Sequence, residues 1–149
     1  MNLVQALKTK NRLAGELVRL QNILQRENSR RSDNPSKVNC EEVYKSIIDL
    51  SDRLGLLKSQ IAAANINIYP AIERMSELKS RISYLNSLPK REGEEICFVG
   101  RDNEKLVYTW DCYLNQEEVD SLVVKLQEEC DRLQDTIDNF NATTQISEN

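Results

Sequence analysis

Residues 38–65 read VNCEEVYKSIIDLSDRLGLLKSQIAAAN, and their spacing decides the fold class. Val43, Ile47, Leu50, Leu54, Leu57, Ile61 and Ala64 recur in unbroken steps of four and three, the interval that lines apolar side chains along one helix face. The start is punctuated as well. Asn39 can accept from a first-turn N–H, Glu42 can reach back to close a capping box, and Val38 can staple onto Val43. A helix over about 40–65 follows.

The same interval recurs on both sides of this stretch. Upstream, Leu3, Ala6, Leu13, Leu17, Leu20 and Leu24 form a seam with Lys10 at its one polar position, which predicts a helix over about 2–28. It ends in the turn-rich run RRSDNPSK, where Pro35 forbids continuation. Downstream, NINIYP at 65–70 interrupts the pattern, and Pro70 suits the first turn of a new helix. Ile72, Met75, Leu78, Ile82, Leu85 and Leu88 then predict a helix over about 70–87, stopped by Pro89. Near the end, Leu114, Asn115 and Glu118 repeat the staple and capping box. Val119, Val123, Leu126, Cys130, Leu133, Ile137 and Phe140 give a fourth helix over about 116–141, followed by a tail expected to be partly frayed.

Between the third and fourth helices the period changes to two. Ile96 to Val99 and Leu106 to Tyr113 concentrate β-branched and aromatic residues around a Gly100–Glu104 turn, which predicts a β-hairpin over about 95–113. A turn centred on Asp102–Asn103 sets Cys97 opposite Tyr108 and away from Cys112. An isolated hairpin is marginal in water, so this one is expected to pack on the helices or to pair with another chain. The expected fold is mainly α: an antiparallel, coiled-coil-like bundle of four helices with one β-hairpin between the third and fourth, in one domain over 1–149. A composition of 40% hydrophobic but only 5% aromatic residues suits a long, thin Leu/Ile core.

Residues 39–65 and 115–141 share eight identities in 27 positions, including both caps and both terminal asparagines. This is either an internal repeat or the common look of two capped helices of equal length. If the two helices run parallel, Asn65, Asn67, Asn141, Thr143 and Thr144 gather at one end as a candidate polar ligand site. In the hairpin, Arg101, Tyr108, Trp110 and Tyr113 are the residue types enriched at binding hot spots and form a candidate interaction surface. The plainer reading is that Tyr108 and Trp110 cover the helices.

The net charge of −4 hides a gradient: residues 1–37 carry +5 and residues 115–149 carry −7. The basic first helix can meet nucleic acid or lie beside an acidic helix. The first 40 residues hold no aromatic side chain for stacking on bases, so helix pairing is the expected use. With no His, no CxxC spacing, four glycines and no phosphate-loop or nucleophile-elbow pattern, neither catalytic residues nor a metal or cofactor site is expected. The carboxylate pairs at 41–42, 117–118 and 128–129 read as first-turn or solvated acids. Cys40, Cys97, Cys112 and Cys130 read as reduced thiols of a cytoplasmic protein, since no signal-peptide or membrane-spanning run is apparent.

The opening MNLVQAL, the Ile61–Asn65 helix end, the AIER start at 71–74 and the closing NATTQI at 141–146 resemble the septicolysin-like family of small helical bacterial proteins. That family reads Ile-Asn-x-Thr-Asn and Asn-Trp-Thr-Thr at the two helix ends. This chain keeps Ile61, Asn65, Asn141, Thr143 and Thr144, but has Ala62, Ala64 and Ala142 at the Asn, Thr and Trp positions. The resemblance implies a small helical fold, and the family's name implies a cytolysin. No membrane-inserting amphipathic segment supports lysis. The leading expectation is a non-enzymatic structural or interaction protein that forms homo-oligomers and binds another protein. The alternative is a protein that sequesters a nucleotide-like small molecule, and a membrane-lytic role comes last.

Overall fold

Asn2 opens the first helix with a reciprocal cap. Gln5 N–H donates to Asn2 Oδ1 (2.9 Å) and Asn2 N–H donates to Gln5 Oε1 (3.0 Å), satisfying backbone donors that a helix start leaves open. The computed structural model describes residues 1–147. It runs α1 (Leu3–Glu27), α2 (Cys40–Ala64), a 3₁₀ turn (Asn65–Asn67), α3 (Tyr69–Ser87), β1 (Gly93–Val99), β2 (Glu104–Trp110) and α4 (Gln116–Thr143). Four helices with an antiparallel hairpin between α3 and α4 is the architecture the spacing implied, and every helix starts and stops within two residues of expectation.

The caps differ in one respect. Asn39 and Asn115 accept from the N–H groups of Glu42 (3.2 Å) and Glu118 (2.9 Å). Neither glutamate returns a bond, so these are one-way caps, and the reciprocal box belongs to Asn2 and Gln5 instead.

The chain forms two compact units: Met1–Tyr69 with the C-terminal residues from Asp138 onward, and Pro70–Ile137. In the first, α1 and α2 are antiparallel partners. Leu3, Ala6, Leu13 and Leu20 meet Leu50, Leu54, Leu57 and Ile61, each large side chain contributing about 1.5–3 kcal/mol of burial. The 28–39 connection is held by Ser36 Oγ, which donates to Glu27 Oε2 at 2.8 Å, and by the Cys40 thiol on the Glu27 carbonyl.

The C-terminal segment completes this unit, contrary to the frayed tail expected. Leu3 N–H donates to the Thr144 carbonyl (3.0 Å) and Ile146 N–H to the Met1 carbonyl (2.9 Å). Gln60 Nε2 donates to the Ser147 carbonyl (3.0 Å). Ile146 is only 6% exposed and belongs to the α1–α2 core. One apolar side chain and a short backbone bridge thus strap the chain end onto the start of α1.

The second unit pairs α3 with most of α4. Leu78 and Leu85 on one helix and Val119, Cys130 and Ile137 on the other are buried. Cys130 fills its seam position as a small apolar residue, as its place in the heptad implied. Arg74 Nη2 and Glu129 Oε1 join the two helices at 3.2 Å, on an exposed flank where such a pair contributes about 0–1 kcal/mol.

Candidate functional site: the exposed hairpin

The hairpin grows from the second unit, and its turn is set by backbone sign. Gly100 (φ 78°) and Asn103 (φ 49°) are left-handed, a conformation cheap for glycine and tolerated by asparagine, and they bracket a four-residue connection between Val99 and Glu104. The register therefore differs from the expected one. Cys97 lies opposite Leu106, and Tyr108 lies opposite Glu95. A shift of two residues keeps every side chain on its expected face, because strand faces alternate with period two. All four cysteines are free thiols.

Opposed residues share a face. Glu95, Cys97, Val99, Leu106, Tyr108 and Trp110 lie on one, and Glu94, Ile96, Phe98, Lys105, Val107 and Thr109 on the other. Tyr108 and Trp110 remain 51% and 43% exposed, so about half of each side chain is left uncovered.

A local clamp holds Trp110. Its Nε1–H donates to Glu95 Oε2 at 2.7 Å, Arg91 Nη1 donates to the same oxygen at 2.8 Å, and the Arg91 guanidinium lies 4.9 Å from the ring centroid. At an exposed site the ring–cation contact contributes about 0.5–1 kcal/mol. The Cys97 thiol donates to Glu95 Oε1 at 3.6 Å. Burial first, then the Glu95 charge, pushes that thiol above its ordinary value.

Of the four residues singled out in the sequence, only Tyr108 and Trp110 share a face. Arg101 sits in the turn, roughly 20 Å along the strand from Trp110 at about 3.3 Å per residue, and the cation over the indole is Arg91. Tyr113 follows the strand and is 92% exposed. With Leu88, Pro89, Arg91, Trp110 and Cys112 it lines a shallow cleft of about 340 Å³ at the hairpin's base. Arg91, Glu95, Ile96, Phe98 and Val107 lie outside the set that residue type singles out; for Ile96 and Phe98 the signal is the run ICFV at 96–99, apolar at both parities and therefore apolar on both faces.

The polar end holds no comparable arrangement. Asn65 terminates α2 and its carbonyl accepts from Ile68 N–H, Asn67 is exposed, and Asn141 is half-buried. Thr143 Oγ1 donates to the Asn139 carbonyl (2.8 Å), and Thr144 acts through its backbone in the strap. No hydrogen bond joins the side chains of Asn65, Asn67 and Asn141 to one another. Between α1 and α2, an open groove of about 680 Å³ carries Arg19 and Arg53, already paired with Glu16 and Asp49 of their own helices. Among the described residues no group of three His, Cys, Asp or Glu could hold a metal ion, and no helix is long and apolar enough to cross a membrane. No protein-family model, curated protein or solved structure matches the chain.

Proposed function

We propose that this chain is a non-enzymatic interaction protein that self-associates, with the hairpin as its contact element. One observation carries the reading: both faces of a two-stranded ribbon are apolar and both stay exposed, while each strand has one edge without a partner strand. A strand apolar at both parities is the pattern of a strand covered on both sides. A ribbon of two strands is marginal alone, and open edges invite pairing. Burial against other copies answers both conditions.

Sedimentation equilibrium of the full chain, from about 1 μM to about 1 mM, spans the affinities that such a contact supplies. A mass that rises with concentration supports the proposal, and a monomer throughout rejects it. Under this reading the protein works inside the cytoplasm, without cofactor or nucleic acid. The lysis implied by the resemblance to septicolysin-like proteins predicts dye release from liposomes, which self-association does not.

A further inference from the structure

The two hairpin faces differ in how their polar groups are used. On the Trp110 face, Glu95 is already engaged by Trp110, Arg91 and Cys97. On the other face Ile96, Phe98 and Val107 are 51%, 67% and 50% exposed, and no polar contact interrupts them. They are flanked along the strands by Glu94 at the base end and Lys105 at the turn end, and neither charge has an ion-pair partner among the described residues. An apolar centre with unmatched, opposite charges at its two ends is complementary to an inverted copy of itself.

We propose that the Ile96–Phe98–Val107 face stacks on the same face of a second copy, with strand directions reversed across the two-fold axis. Inversion about the Ile96–Val107 pair sets the row holding Glu94 and Thr109 over the row holding Phe98 and Lys105 of the second copy. Each Lys105 then reaches the Glu94 of the other chain, and the two contacts are equivalent, as a two-fold interface requires. The same-direction stack fails on charge, since it sets Glu94 beside Glu94 and Lys105 beside Lys105. Three rows of side chains supply less than the roughly 800 Å² per partner of a standard interface, so the dimer is weak and concentration-dependent. This inference rests on the self-association reading and specifies which surface performs it.

Sedimentation equilibrium on the full chain tests it with four variants. Phe98→Asp places a charge in the apolar centre and is expected to weaken dimerisation on the order of a hundredfold. Glu94→Lys and Lys105→Glu each turn two attractions into repulsions, weakening it about tenfold. The double reversal E94K/K105E restores the attraction and is expected to return within about threefold of the native constant. Circular dichroism should show unchanged helix content for the charge reversals, which break no ion pair among the described residues, so these arms decide even if Phe98→Asp misfolds. If the native chain self-associates but the reversals have no effect, or the double variant is as weak as the singles, the stacking is overturned while self-association stands. A native chain that never exceeds monomer mass removes both.

Discussion

The α1–α2 unit and the hairpin are both built from regularly spaced apolar residues, yet one is covered and the other is not. In the first, Leu3 and Ala6 are fully buried and Ile146 is brought back from the far end of the chain to close the core. In the second, Phe98 stays two-thirds exposed, and Trp110 is met by the Arg91 guanidinium but remains 43% exposed. Period alone thus says where apolar side chains point and leaves open what meets them. A helix seam facing another seam of the same chain is satisfied within it, whereas a two-stranded ribbon has two faces and only itself.

The strongest way to break this contrast is to truncate one large side chain in each region. Leu3→Ala removes a fully buried side chain and is expected to cost about 2–5 kcal/mol in denaturant unfolding. Phe98→Ala should fall within about 0.5 kcal/mol at concentrations where the chain is monomeric. Comparable losses for the two would mean that Phe98 is buried in the monomer and that the contrast is wrong.

Next in size is the strap. Ile146→Ala should cost about 2 kcal/mol and, more tellingly, speed hydrogen exchange at the Leu3 and Ile146 amides, which donate to Thr144 and Met1. Unchanged exchange at those two amides would show that the backbone bridge holds without its apolar knob.

These two regions also mark what could be read in advance. The helices were legible because steps of four and three persist over many turns, and because Asn39 and Asn115 precede them at capping positions. The Asn2–Gln5 box was as visible in type and spacing and was overlooked. The strap was not legible. One isoleucine in a polar tail has no period, and its value comes from backbone bonds to residues more than a hundred positions away. The hairpin's existence followed from its alternation, but its register depended on two left-handed residues, Gly100 and Asn103, and only Gly announces itself reliably. The candidate site was half legible: residue types pointed to Tyr108 and Trp110, while the partner of the indole came from Arg91, before the strand begins.

A smaller effect sharpens the comparison between caps. Asn115→Ala and Asn39→Ala each remove one side-chain acceptor from a helix start, and each should cost about 1 kcal/mol in thermal or denaturant unfolding. Replacing either residue with Asp should cost little, because a carboxylate accepts the same bond and favours the helix N-terminus.

The smallest effect separates the two regions by the direction of their pH response. Glu27 titrates below its ordinary 4.5, first because Ser36 donates to it and then through the charge of Arg30, although burial opposes both. A carboxyl whose folded value is depressed lends stability above its unfolded value, and that contribution is lost as pH falls through the folded one. Acid should therefore loosen the 28–39 connection. The Cys97 thiol is displaced the other way, above 9.0, so its contribution is complete below that value and is lost as pH rises through the folded one. Alkali should loosen the hairpin. Carboxyl NMR of Ser36→Ala should place the Glu27 titration nearer 4.5, and residue-resolved alkylation of Glu95→Gln should show Cys97 reacting at lower pH than in the native chain. If Glu27 titrates unchanged without Ser36, the serine hydroxyl does not anchor the connection, and the stability of the first unit rests on its apolar seam and strap.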